Sequence, residues 1–177
     1  MTGKRFFGIM GNASNFLKEL TLLVSTNYQW TEKYVDLKTG KHWLKYMIDR
    51  DTGRYYNLML LTPKPKTNEI IDIAFSSMDY DEVEGAAHRL LIEEDDEKID
   101  FRPAVLGRIK KLDISQLNEF EKKRIKAIIL NGHLTDKTNK REAAGKDFSE
   151  IQKDEDFFKE LADYSEEIFK QLYDSFI

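Results

Sequence analysis

The chain has 177 residues, with 28 Lys and Arg against 32 Asp and Glu, a net charge of −4 and no cysteine. Hydrophobic residues at 41% and aromatics at 12% are enough to build a core, which sets aside wholesale disorder. The lack of cysteine excludes a disulfide scaffold, a thiol nucleophile and every Cys-ligated metal site, and no apolar run is long enough to span a bilayer.

In chain order, residues 12–23 begin with cap-like side chains and set Phe16, Leu17, Leu20 and Leu23 at helical spacing. A helix is predicted there, although residues 20–26 also read as a strand. Residues 28–36 and 42–49 are rich in aromatic and β-branched side chains, among them Tyr28, Trp30, Tyr34, Trp43 and Tyr46. Between them Gly40 supplies the positive φ that a tight hairpin needs, and Asp51-Thr52-Gly53 forms a second turn into a third strand at 55–61.

The character changes at Thr62-Pro63-Lys64-Pro65-Lys66, after which the pattern is helical. Thr67 is placed to cap a helix carrying Ile70, Ile71, Ala74 and Phe75. Asp81 with Glu84 makes an acidic capping-box variant ahead of Val83, Ala86, Ala87, Leu90 and Leu91. Pro103 suits an early helical position before Val105, Leu106 and Ile109. Asp113 with Gln116 opens a helix that stops at Gly132. Residues 133–146 read as a polar loop or frayed helix. Residues 154–176 read as a long amphipathic helix striped by Phe157, Phe158, Leu161, Ile168, Leu172 and Phe176.

The expected fold is therefore α+β. A small N-terminal antiparallel β-meander with a helix occupies residues 1–62, and an all-helical part, irregular or of HEAT-like antiparallel pairs, occupies 63–177. Residues 82–92 superpose on 119–129 at an offset of 37, the kind of self-similarity that stacked helix pairs give. A segment of about 60 residues with few strands buries too little alone, so the two parts are read as one packed unit.

Motifs of catalysis are missing. No Gly-x-Gly-x-x-Gly, Gly-x-Ser-x-Gly, His-Glu-x-x-His or Walker pattern occurs, and His42, His88 and His133 lack ligand spacing. No enzymatic activity, metal or cofactor is expected. Charge, by contrast, is strongly blocked: +4 over residues 1–78, −8 over 79–100, +7 over 101–146 and −7 over 147–177. The dense run Glu93, Glu94, Asp95, Asp96, Glu97 lacks the alternation and central Gly of a calcium loop. It reads as a solvated helix end or as a contact surface for a cationic partner. The basic block, with Arg102, Arg108, Lys110, Lys122 and Arg124, is suited to tracking phosphate or to pairing with its acidic neighbours.

The chain resembles immunity proteins of bacterial polymorphic-toxin systems. The residues that carry the likeness are Thr2-Gly3-Lys4-Arg5-Phe6-Phe7-Gly8-Ile9-Met10-Gly11-Asn12, the Trp30-Thr31-Glu32-Lys33-Tyr34-Val35-Asp36 strand with Trp43, and Ile70-Ile71-Asp72-Ile73-Ala74. Phe120-Glu121-Lys122-Lys123-Arg124-Ile125 and Gly145-Lys146-Asp147-Phe148-Ser149-Glu150-Ile151 add to it. The likeness covers most of the chain and carries no catalytic signature. It implies a cytoplasmic inhibitor that binds a cognate toxin domain stoichiometrically and blocks it without turnover. Many such toxin domains are cationic nucleases. The contact is then expected at Glu93, Glu94, Asp95, Asp96 and Glu97, or at Glu155, Asp156, Glu160 and Asp163 on the last helix. Trp30 and Trp43 are candidate aromatic anchors if they are not core. A helical-repeat adaptor for another protein partner would present the same surfaces, whereas a nucleic-acid binder would use the basic block.

Overall fold

The computed structural model describes residues 3–26 and 30–174. Tyr28 of the expected first meander strand and Phe176 of the expected last-helix stripe lie outside the described residues. The fold is α+β, and the described residues form an N-terminal five-stranded antiparallel sheet and six α-helices. Contacts divide the chain into two compact units, residues 1–89 and 90–177, rather than at the change of composition near residue 62.

In the first unit the strands are β1 (Phe6–Phe7), β2 (Thr21–Thr26), β3 (Thr31–Val35), β4 (His42–Met47) and β5 (Tyr56–Leu60), in the spatial order β1-β5-β4-β3-β2. The hairpins turn where expected, with positive φ at Gly40 and Gly53. Helix α1 (Met10–Leu17) is shorter than expected, and the remainder of that segment is β2. Phe16, Leu17, Leu20 and Leu23 satisfy helical spacing. Thr21, Val24 and Thr26, however, are β-branched and pair antiparallel with β3, which outweighs the periodicity.

Helix α1 covers one face of the sheet. Ala13 packs against Trp43, Leu58 and Leu60, and Phe16 stacks on Phe7 at 4.5 Å and meets Trp43 edge-on at 4.9 Å. On the opposite face lie Phe6, Tyr46, Asn57 and Met59, and the first three of these meet Gly85 and His88 in the first half of α3 (Tyr80–Glu97), which follows α2 (Thr67–Ser76). The Tyr46 hydroxyl donates to the carbonyl of Gly85 at 3.1 Å. Gly8 and Gly85 bring two backbones together: a Cβ added at Gly8 would lie 2.1 Å from the Gly85 nitrogen. Only glycine fits there.

Two capping expectations change. Thr67 is the first residue of α2, and Lys66 precedes it with its amide donating to Glu69. Asp81 does not form a local box with Glu84; its carboxylate accepts from the amides of Gly8 and Ile9 at the start of α1. Lys4 pairs with the same carboxylate at 2.6 Å. His88 lies beside the buried Asn57 amide, with its Nδ1 at 3.3 Å, a packing role within this unit.

The second unit begins inside α3 and contains α4 (Arg102–Ile109), α5 (Glu119–Asn131) and α6 (Phe148–Asp174). The helix expected from Asp113 onward is split. Asp113 caps a 3-10 turn, Ile114–Gln116, and Asn118 with Glu121 then forms the capping box that opens α5. Gly132 ends α5 as expected. Helix α6 starts six residues before the expected residue 154, because Asp147 accepts from the Glu150 amide and Glu150 accepts from the Asp147 amide. Its inner face buries Phe158, Leu161, Ala162, Ile168 and Leu172. No described helix is long and apolar enough to cross a membrane.

Candidate partner-binding surfaces

The acidic run at the end of α3 does not form one surface. Glu93 and Glu94 are only 2% and 4% exposed, and they are removed from the expected contact set. Leu90 and Leu91 lie four and three residues before Glu94, so helical geometry turns residue 94 inward with them. Both Glu94 oxygens are used: Arg102 Nε donates to Oε1 at 2.7 Å and Nη2 to Oε2 at 2.8 Å. Arg102 is fully buried, and its Nη1 donates to the His133 carbonyl at 3.1 Å. Its guanidinium also faces the Phe158 ring at 5.3 Å.

Asp95, Asp96 and Glu97 remain exposed in the last turn of α3. That turn holds no basic residue, so three carboxylates sit against the negative end of the helix dipole. Each such placement costs about 0.3–1 kcal/mol at low salt. Lys98 offsets part of this by donating from Nζ to the Asp95 carbonyl at 2.9 Å.

Helix α6 presents a longer acidic face. Glu155, Asp156, Glu160 and Asp163 are all exposed. Asp156, Glu160, Asp163 and Glu167 recur at four, seven and eleven residues from the first, which places them on one side of the helix. Together with Lys159 and Tyr164 they line an open groove of about 410 Å³. Cationic neighbours lean on this face without covering it. Lys110 reaches Glu160 at 3.9 Å, and Lys137 reaches Asp163 at 2.7 Å. The hydrogen bond from Lys137 pulls the Asp163 carboxyl below its ordinary value.

The two aromatic candidates separate. Trp43 is 4% exposed and packs against the stacked pair Phe7 and Phe16, so it belongs to the core and is withdrawn as an anchor. Trp30 is 52% exposed, at a left-handed φ of 50° just before β3. Its carbonyl accepts from the Met47 amide at 3.2 Å, which holds the backbone while the indole stays in water.

Part of the basic block is engaged inside its own unit, while Lys110, Lys111 and Lys123 stay exposed. Arg102 is consumed by Glu94, and Arg124 is buried with its guanidinium 5.1 Å from the Phe120 ring. Lys126 faces the Tyr173 ring at 4.2 Å, and Lys122 pairs with Glu119 at 3.2 Å. Arg141 donates to Asp100 and Asp154 and lies 4.4 Å from the Phe157 ring.

Arg141 also organises the polar stretch that the sequence marks only as a loop. With Lys146 donating to Asp154 at 2.6 Å, it ties residues 141–146 to α6. A pocket of about 240 Å³ opens beside it, lined by Lys98, Asp100, Lys140, Arg141, Glu142 and Phe158 among others. In its lining Arg141 pairs with Asp100, and Lys140 is held by Asp136. No group of three or more His, Asp or Glu able to hold a metal occurs among the described residues.

A surface that sequence reasoning missed is the outer edge of β2, where Leu22, Leu23 and Val24 are exposed. Assigning residues 20–23 to a helix hid it, though three successive apolar residues followed by Ser and Thr carry a strand signal.

Compared with known proteins, the chain matches no family model, no curated protein and no solved structure.

Proposed function

We propose that this chain is a toxin-neutralising immunity protein, which binds a cationic cognate toxin domain and occludes it without turnover. The observation that carries the reading is the acidic side of α6, where Asp156, Glu160, Asp163 and Glu167 surround an open groove. Carboxylates spaced along one side of a helix create a field that draws a cationic surface at long range and orients it on arrival. Tyr164, among the lining residues, supplies a partly apolar contact beside the carboxylates. The exposed end of α3, with Asp95, Asp96 and Glu97, is a second acidic patch of the same sign. Its unfavourable position against the helix dipole is what binding would retain and stability alone would not.

The test is co-expression with the toxin domain encoded beside this chain. Cells that carry both survive if the reading is right. Cells that die as readily as those with the toxin alone refute it.

A further inference from the structure

The sheet has two outer strands, β1 and β2, and they are built differently. β1 is two residues long, an edge too short to template another strand. β2 runs for six residues, contains no charged residue and no proline, and pairs with β3 alone among the described strands. Leu22, Leu23 and Val24 are 50%, 52% and 47% exposed. Natural proteins guard an edge of this length with Lys, Pro or inward charge, because its outward N–H and C=O groups invite pairing. The neighbouring strands do carry charge, Glu32 and Lys33 on β3 and Lys45 on β4. The long edge is the strand left without it. The register against β3 slips between Leu22 and Val24, and such a bulge is one device that blunts an edge. It does not account for three apolar side chains left half in water.

We propose that β2 pairs antiparallel with β2 of a second copy of this chain, joining two five-stranded sheets across a two-fold axis near Leu23. Charge selects the occupant. In a two-fold pairing each side chain near the axis lies close to its own counterpart, so any charge there meets a like charge. A strand that is uncharged from end to end is compatible with itself. A segment of another protein would be selected by cross-strand charge pairs, and β2 offers none. Pairing satisfies the outward backbone groups and gives Leu22, Leu23 and Val24 apolar cross-strand neighbours in the other copy. The inference uses residues of the first unit only and stands or falls apart from the toxin-binding reading.

The experiment is sedimentation velocity on the full chain from micromolar to sub-millimolar concentration, with Leu23→Lys and Leu23→Glu measured alone and mixed. The wild type should pass to twice the monomer mass as concentration rises. Each variant alone should stay monomeric, and the equimolar mixture should recover the doubled mass. Amide hydrogen exchange on the wild type gives a readout free of any folding defect in the variants: protection at residues 22–24 should rise with concentration. A wild type that stays monomeric throughout overturns the proposal. So does a dimer that both variants retain, a mixture that stays monomeric, or protection at 22–24 that ignores concentration.

Discussion

Glu94 and Arg102 form a two-pronged ion pair in which the guanidinium is fully buried and the carboxylate nearly so. A charge cluster that reads in sequence as surface is thereby split, two of its carboxylates going inward and three staying in water. The buried pair also ties the end of α3 to α4 and, through the His133 carbonyl, to the chain leaving α5.

Removing one partner leaves the other charge buried without compensation. Glu94→Gln or Arg102→Met should each lower the unfolding free energy by about 3–5 kcal/mol. The double variant Glu94→Leu/Arg102→Met should lose far less than the sum, since an apolar pair of similar volume needs no desolvation. Asp95→Asn and Asp96→Asn, on the exposed side, should be neutral or stabilising by up to about 1 kcal/mol. Urea unfolding reads all of these, and equal losses at positions 94 and 95 would contradict the assignment.

A second prediction concerns Gly8 and Gly85. A Cβ at Gly85 would meet Phe6 Cβ at 2.7 Å, and one at Gly8 would meet the α3 backbone. Alanine at either position should cost on the order of 1–3 kcal/mol or more, as overpacking does, and should disturb the Asp81 contacts at Gly8 and Ile9. Gly107, with open space around its missing side chain, is the control. Gly107→Ala sits in a helix and should be neutral or stabilising.

Acid should loosen the segment between α5 and α6. Burial opposes ionisation of Asp136, but hydrogen bonds from Thr138 and Lys140 outweigh it and hold the carboxyl down at about 2, against an ordinary 3.8. Hydrogen bonds from Lys146 and Arg141 likewise pull Asp154 below its ordinary value. A carboxyl lowered in the folded state stabilises the fold above its unfolded value, and that contribution is lost as pH falls through the folded value. The urea midpoint should therefore drop between pH 3.8 and about 2, and Asp136→Asn should drop less over the same window. An identical acid slope in wild type and variant would remove Asp136 from the account.

Much of the first unit was legible because hairpin chemistry is local. Gly40 and Gly53 mark turns whatever surrounds them, and the aromatic runs between them have no competing periodicity. The α1–β2 boundary was not legible, since Phe16, Leu17, Leu20 and Leu23 fit both a helix and the start of a strand. β1 is defined only by its pairing with β5, and two residues carry no pattern of their own. Asp81 follows the same logic: its partners, Gly8 and Ile9, lie more than seventy residues away, so the local Glu84 looked like its mate. On the binding surfaces, charge told the composition of α3 and α6 correctly but not the side on which each carboxylate falls. Periodicity supplies that once the apolar stripe is taken as the reference, and by that rule Glu94 belongs with Leu90 and Leu91.

The central claim is that the acidic side of α6 draws in a cationic toxin domain. Stopped-flow association between that domain and the Asp156→Lys/Glu160→Lys variant tests it most directly, with a salt series on wild type and variant. Both residues are exposed, so the fold should be kept. The association rate should fall by roughly ten-fold or more at low salt, and its dependence on ionic strength should flatten. An association rate equal to wild type, with the same salt dependence, would contradict the claim.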